Sequence, residues 1–171
     1  MINLRAIEPE DIDLIFKWEN DRKIWHLSNT ITPFSRYLIE QYILNSENDI
    51  FSEKQLRLMI DVREDNKTKT IGSIDLFDFD AVNKRAGIGI FINEDKREKG
   101  YAFEALKELK EYCFSKLCLH QLYCNITEDN VASLRLFEKA GFEITGLKKD
   151  WIFYRNSWLN EYILQVINNK I

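Results

Sequence analysis

The sequence predicts an α/β fold, a mixed α+β arrangement in which about seven strands form one sheet that is covered by four helices. Three features indicate it: apolar residues alternate with period two in some segments, follow helical spacing in others, and the two kinds of segment intermix along the chain. Short polar links join neighbouring strands as hairpins, which makes them antiparallel, whereas the strand–helix–strand crossover between Ile92 and Leu122 favours a parallel step.

The individual elements follow from local patterns. The first strand alternates along residues 2–7, and Pro9 followed by acidic residues suits the start of the first helix. Gly141 stands where the cap at the end of the last helix is expected. Segments 19–34 and 45–54 are predicted as loops. The predicted strands cover 2–7, 55–62, 70–77, 84–92, 122–126, 142–153 and 158–167, and the predicted helices cover about 9–18, 37–44, 98–117 and 131–140.

Composition limits the class of protein. With 171 residues, 45% of them apolar, the chain is predicted to form one domain over residues 1–171 with a substantial core. A net charge of −4 argues against a protein whose main task is to hold nucleic-acid phosphates. Apolar runs fall short of the ~20 residues of a membrane helix, and the start lacks a signal-peptide pattern. We therefore expect a cytoplasmic protein with no membrane partner.

Cysteine and histidine residues form no recognisable motif. The spacings of Cys113, Cys118 and Cys124 fit neither a CxxC pair nor a disulfide framework, and with two histidines they assemble no zinc site. We therefore predict no bound metal. His26 and His120 are expected to be loop or surface residues rather than catalytic ones.

The start of the third long helix carries the clearest chemical signal. A strand that ends at Ile92 is followed by a charged loop and by the segment Arg97-x-x-Gly100-x-Ala102. The first N–H groups of a helix lack intrahelical partners and attract anions, Gly100 lets a phosphate approach the main chain, and Arg97 and Lys99 add positive charge. An ordinary charged loop before an amphipathic helix is the alternative interpretation of this segment alone.

Two motifs in the expected order resemble those of a known family. The segment just described resembles motif A of the GNAT N-acetyltransferases, Gln/Arg-x-x-Gly-x-Gly/Ala. Further on, Asn130-x-x-Ser133 followed by the segment 137–142 resembles the second signature of that family. Segments 83–86 and 151–156 are similar to those of bacterial spermidine acetyltransferases and ribosomal-protein N-terminal acetyltransferases. The resemblance extends from residue 2 to about residue 166.

The resemblance implies that the chain uses acetyl-CoA as a co-substrate. Main-chain groups of Ile90, Phe91 and Ile92 would pair with the pantetheine arm as an added strand, and a backbone N–H of this strand would stabilise the thioester oxyanion. Asn130 would bond the pantetheine, while a plain helix N-cap is an equally good interpretation of this residue. The diphosphate would be held by main-chain amides of Arg97, Glu98, Lys99, Gly100, Tyr101, Ala102 and Phe103.

The expected reaction is direct attack of a primary amine on the thioester. An ammonium group must lose a proton before it attacks, so a base is needed. Asp75 and Asp78, on and just after the strand that precedes the cofactor strand, are the candidates, and solvated strand-edge charge is the alternative. Phe137, at the cofactor site, stands where the family places a tyrosine as general acid. Water, Tyr101 or Tyr154 could replace it, and a thiol with a pKa of about 8.5 is a tolerable leaving group without a strong acid.

The resemblance implies an N-acetyltransferase whose acceptor is a polyamine or diamine such as spermidine, because the closest resemblance is there and an acidic protein attracts polycations. A protein N-terminal acetyltransferase is one alternative. A catalytically silent acyl-CoA-binding module, suggested by Phe137, is the other. A nucleic-acid partner is not expected, and a homo-oligomer that uses the C-terminal strands is compatible with the sequence.

Overall fold

The computed structural model describes residues 2–45 and 49–169. The strands are β1 (Ile2–Ala6), β2 (Leu56–Glu64), β3 (Lys67–Asp80), β4 (Arg85–Ile92), β5 (Gln121–Thr127), β6 (Glu143–Tyr154) and β7 (Ser157–Ile167). The helices are α1 (Ile12–Glu19), α2 (Trp25–Ser28), α3 (Arg36–Leu44), α4 (Ile50–Glu53), α5 (Tyr101–Ser115) and α6 (Val131–Lys139). In this part of the chain the seven strands form one sheet in the order β1-β2-β3-β4-β5-β7-β6.

The predicted α/β class, the mixed seven-stranded sheet and the four longer helices are confirmed. Two short helices, α2 and α4, are additional and lie in the segments predicted as loops. Four residues are too few to show an apolar period, and α4 forms because the carboxylate of Asp49 accepts hydrogen bonds from two N–H groups of its first turn. None of the described helices is long and apolar enough to cross a lipid bilayer.

The start of α5 also differs from the prediction. The helix begins at Tyr101 instead of residue 98, because Glu98 and Gly100 have left-handed φ values of 63° and 83°. Such values do not occur inside a right-handed helix. The segment before α5 is therefore an irregular turn whose main chain is exposed.

The sheet separates two hydrophobic cores. One face packs against α5 and α6 around Ile88 and Leu106, and the other packs against α1 and α3 around Ile15 and Met59. Successive strand residues point to opposite faces. On β4 the even-numbered residues therefore face α5, and the opposite face, which we call the acceptor face, carries Gly87, Gly89 and Phe91.

A cleft opens where β4 and β5 separate. The two strands pair in parallel only through Arg85–Gln121, Ala86–Leu122 and Gly87–Tyr123. Beyond these pairs β4 stays bonded to β3 as far as Ile92, and β5 stays bonded to β7 as far as Thr127. Each strand is thus held on its outer side while the space between them widens.

Gly72 keeps β3 close to β4. A Cβ atom at this position would lie 2.1 Å from the carbonyl oxygen of Phe91 and 3.1 Å from the Cα of Ile92, so the main chain of β4 would have to move. At Gly89, by contrast, the nearest atom to an added Cβ belongs to the Phe77 ring and is 3.9 Å away. One glycine is required by packing, and the other leaves open space on the acceptor face.

Replacing Gly72 by alanine should therefore lower the free energy of unfolding by about 3 kcal/mol, the upper range for overpacking against a rigid neighbour. Gly89→Ala is the matched control in the paired strand and should change it by less than about 1 kcal/mol. Urea unfolding of the two variants checks this prediction. Equal stability of the two proteins would contradict the close approach of the strands at Gly72.

Candidate active site

The edge of β4 that faces the cleft presents unpaired main-chain groups. The N–H of Asn93 donates to the carbonyl of Ile71 at 2.8 Å, so odd-numbered residues of this strand direct their main-chain groups to β3. Even-numbered residues direct theirs the opposite way. Ile90 and Ile92 lie beyond the last pair with β5, and their N–H groups therefore face the cleft, where an extended amide-bearing ligand can pair with them.

Phe91 and Arg97, which the sequence also placed at the cofactor, are positioned differently. The main chain of Phe91 pairs with Ser73 of β3, and its ring packs against Trp18 on the acceptor face with a centroid distance of 5.1 Å. Arg97 donates from Nε to the carbonyl of Ile92 at 2.9 Å. This bond fixes the turn between the end of β4 and α5.

The start of α5 forms a site for an anion. The carbonyl of Gly100 accepts hydrogen bonds from the N–H groups of Phe103 and Glu104. In the described part of the chain the N–H groups of residues 98–102 donate to no protein acceptor. Unpaired N–H groups at a helix start favour a negative ligand, and no atom lies within 4 Å of a Cβ built on Gly100. These residues, Ala102 among them, fit the diphosphate of acetyl-CoA.

Side chains around this site are held by ion pairs. Lys99 is exposed, whereas Lys96 binds Glu64 at 2.6 Å. The hydroxyl of Tyr101 donates to the same carboxylate at 3.1 Å. The hydrogen bond from Lys96 lowers the pKa of Glu64. Because its hydroxyl is committed to the β2–β3 hairpin, Tyr101 is not placed to serve as the missing general acid.

The second signature places Asn130 and Phe137 along α6. The side chain of Asn130 accepts a hydrogen bond from the N–H of Ser133 at 3.3 Å, so its N-cap role is confirmed. Its amide nitrogen has no acceptor among residues 2–45 and 49–169 and can serve a ligand. Phe137 is buried and packs edge-on against Phe142 with centroids 5.0 Å apart. It offers an apolar surface and no proton.

Asp75 lies on the acceptor face, opposite Gly89 in the β3–β4 register. Both of its oxygens are engaged, since Arg57 donates from Nε and Nη2 to Oδ1 and Oδ2 at 2.7 and 3.0 Å. The third nitrogen of Arg57 donates to Glu19 at 2.5 Å. Burial alone would lower the pKa of Arg57, but the two carboxylates hold it well above its ordinary value. Two carboxylates around one guanidinium leave a single excess negative charge here.

Asp78 lies further along β3 on the same face. It is exposed, and its Oδ2 accepts a hydrogen bond from the hydroxyl of Tyr123 at 3.1 Å. Burial, followed by this bond to a carboxylate, raises the pKa of Tyr123 to about 12. The Tyr123 ring packs edge-on against Phe77 at 5.8 Å. A cavity of about 830 Å³ opens beside Asp78 and Tyr123, between α4 and the strands β5 and β7.

The predicted loop or surface position is wrong for His26 and is confirmed for His120, which is exposed. His26 lies on α2 with a side chain only 11% exposed. Its ring stacks on Tyr154 at a centroid distance of 3.8 Å and an angle of 7°, and Nε2 lies 3.4 Å from Oδ2 of Asp129. These three residues belong to distant segments, so no local pattern in the sequence could have shown the contact.

The fold and the site together define a class of protein. A sheet that parts along β4 can take an extended amide-bearing arm, and the helix start beyond it can take a diphosphate. The acceptor face behind the cleft carries carboxylates and open space at Gly89. This is the site of an acyl-CoA-dependent transferase.

The family follows from comparison with known proteins. The model of the acetyltransferase (GNAT) domain family matches residues 2–143, and the chain belongs to this family. It is an N-acetyltransferase, and acetyl-CoA supplies the acetyl group as an activated thioester. The predictions of the family, the enzyme class and the co-substrate are thereby confirmed.

Two relatives match over most of their length. An uncharacterized N-acetyltransferase of Bacillus licheniformis is 27% identical over 99% of this chain and 94% of its own. A spermidine N(1)-acetyltransferase of Vibrio cholerae is 23% identical over 99% of this chain and 94% of its own. The crystal structure of a Vibrio cholerae spermidine N-acetyltransferase in complex with CoA and spermine has a TM-score of 0.87 at 22% identity, covering 99% of this chain and 96% of that one. This last similarity shows the shared fold.

Replacing Gly100 by valine should weaken the binding of CoA more than tenfold, because a branched side chain would enter the space of the phosphates and oppose the φ of 83°. Isothermal titration calorimetry with CoA measures the effect. Gly141→Val is the matched control, since this glycine follows α6 with a φ of 90°, and the nearest atom to an added Cβ, Nζ of Lys110, is 3.9 Å away. Similar losses in both variants would show that backbone strain, and not the anion site, is responsible.

Proposed function

We propose that this enzyme acetylates a polyamine or diamine such as spermidine. The observation that carries the proposal is the pair of negatively charged positions along β3 on the acceptor face. Asp75, opposite Gly89, is the first of these positions, and Asp78 is the second. Two residues separate them along β3, and the irregularity between Phe77 and Asp80, where Asp78 has a φ of 49°, turns Asp78 to the face of Asp75. An offset of three residues along a strand corresponds to roughly 10 Å. An acceptor with two ammonium groups joined by a flexible methylene chain matches this arrangement.

Different residues of the acceptor face would contact different parts of the acceptor. The first ammonium group would lie over Gly89, where the absent side chain leaves room beside the Asp75–Arg57–Glu19 cluster. A second ammonium group would reach Asp78. Between the two charges the rings of Phe77 and Tyr123 provide an apolar surface for the methylene chain. The functions proposed here for Asp75 and Asp78 are thus electrostatic.

The main chain of β4 would assist the transfer itself. The N–H of Ile90 faces the cleft and can donate to the thioester oxygen as negative charge develops on it. The family's usual proton donor is absent because Phe137 occupies its position. A thiol has a pKa of about 8.5, so its thiolate leaves readily without such a donor.

The relatives support the same acceptor. The Vibrio cholerae and Escherichia coli relatives named spermidine N(1)-acetyltransferase are each 23% identical and cover 99% and 93% of this chain. The acidic character of the chain, with a net charge of −4, also favours polycationic acceptors. Identity at this level supports the acceptor class and not its individual member.

A screen of acetyl-CoA consumption tests the proposal. The panel consists of spermidine, spermine, putrescine, an aminoglycoside and peptides with free N-termini. We expect turnover on the polyamines and not on the peptides. Turnover on peptides alone would overturn the polyamine proposal and establish the N-terminal acetyltransferase alternative.

Asp78→Asn should raise the KM for spermidine about tenfold, the value of one charge-assisted hydrogen bond, while the KM for acetyl-CoA stays constant. Steady-state kinetics with each substrate varied in turn measures both constants. Asp80→Asn is the matched control, because Asp80 is committed to the N–H and amide of Asn83 and should not contact the acceptor. An unchanged KM for spermidine in the Asp78 variant would remove the second charge from the acceptor site.

A further inference from the structure

Two buried side-chain atoms in residues 2–45 and 49–169 have no hydrogen-bond partner: Nδ1 of His26 and Oγ1 of Thr127. Buried polar atoms are nearly always paired, and an exception calls for an explanation. Both exceptions lie at the same end of β5, since Thr127 ends this strand and Asp129, the neighbour of His26, follows it by two residues.

Thr127 borders the active-site cleft. It lies on β5 two and four residues beyond Asn125 and Tyr123, so its side chain shares the acceptor face with the ring of Tyr123. If the register Gly87–Tyr123 continued across the gap, Thr127 would lie opposite Phe91. Its hydroxyl is therefore level with the part of β4 that presents the N–H of Ile90.

The contacts of His26 determine which of its two ring nitrogens can accept a proton. Nε2 lies 3.4 Å from the Asp129 carboxylate, which favours the tautomer with the proton on Nε2. The lone pair then lies on Nδ1, the unpaired atom. Stacking on Tyr154 fixes the plane of the ring. A carboxylate, an oriented imidazole and a free lone pair form the arrangement of a general base.

We infer that His26 is the general base of the acetyl transfer and that Thr127 holds the reacting nitrogen. The ammonium group of the acceptor gives a proton to Nδ1 of His26, directly or through one water, so that an N–H bond breaks and a new one forms on the ring. The freed lone pair makes the N–C bond to the acetyl carbon, and the C–S electrons leave with the sulfur. The second amine proton passes to the thiolate through solvent, and His26 returns its proton to solvent. Asp129 balances the imidazolium charge.

The acidic residues considered from the sequence are less suited to this task. Both oxygens of Asp75 are occupied by Arg57, and Asp78 accepts from Tyr123. Among the described residues, Asp129 on the β5–α6 loop and Tyr154 on β6 contact His26. Arg155 lies against the ring of Tyr154, and Arg22 lies against the neighbouring Trp25.

The test compares His26→Asn, His26→Phe and Asp129→Asn in the full chain. Spermidine is the acceptor, or the amine that the screen identifies, so that failure of the polyamine proposal leaves this test intact. We expect both His26 variants to lower kcat/KM at least 100-fold, the usual contribution of a general base, and to lose the acidic limb of the pH profile. Asp129→Asn should lower kcat/KM about tenfold. CoA affinity by calorimetry should stay within twofold of the wild type.

His120→Asn is the matched control, because the chain has two histidines and this one is exposed at the far end of β5. This variant should leave the pH profile unchanged. Because His26 is then its one remaining histidine, its NMR spectrum also identifies the ring resonances of His26, which should shift when spermidine is added. His26→Phe keeps the ring stacked on Tyr154 and thus separates catalysis from folding. Retained activity with an intact acidic limb, or a loss of CoA affinity equal to the loss of rate, would overturn the inference.

Thr127→Val provides an independent readout. It replaces a buried unpaired hydroxyl by a methyl group of the same shape, so the free protein should be no less stable to urea. The KM for the acceptor should nevertheless rise about fivefold, the effect of one neutral hydrogen bond. An unchanged KM would exclude Thr127 from the acceptor site and overturn its part of the inference.

Discussion

The separation of β4 from β5 is the constraint on which the rest of the structure depends. Buried main-chain N–H and C=O groups need partners. β4 stays paired with β3 as far as Ile92, and β5 stays paired with β7 as far as Thr127. Both strands are therefore held in place although no main-chain hydrogen bonds join them across the gap. An extended ligand with amide groups can restore the missing bonds, and the pantetheine arm of the co-substrate would be such a ligand.

This gap also determines where charge is found. The chain crosses from β4 to β5 through α5, so the start of that helix lies at the open end of the cleft and presents N–H groups to a diphosphate. Because α5 and α6 cover one face of the sheet, the acceptor proposed above would approach from the other face. On that face the guanidinium of Arg57 lies between the carboxylates of Glu19 and Asp75, which leaves one excess negative charge in this cluster. In this proposal the diphosphate and the amine would bind on different sides of the cleft.

The periodicity of apolar residues, together with turn and cap residues, is sufficient to predict the strands, the longer helices and the segment around Gly100. These features are local, because the spacing of apolar residues within one strand or helix indicates which of its faces is buried. The Arg57–Asp75 ion pair depends instead on the register between β2 and β3. A shift of one strand by one residue would move one of the two side chains to the other face of the sheet and break the pair. The contact of His26 with Tyr154 and Asp129 joins three segments through tertiary packing alone. For the same reason the short helix α2, which has no period of its own, was predicted as a loop.

If Phe137 stands in place of the family's proton donor, as the resemblance implies, the chemistry of the reaction still requires a base. A lysine-like amine has a pKa of about 10.4, so at pH 7 only about one molecule in 2,500 is neutral. The departing thiol, with a pKa of about 8.5, is far less demanding. Loss of the proton donor at Phe137 therefore slows one easy step, whereas loss of a base would leave the nucleophile protonated. An imidazole with one nitrogen 3.4 Å from a carboxylate and the other buried and unpaired fits the base that this harder step requires.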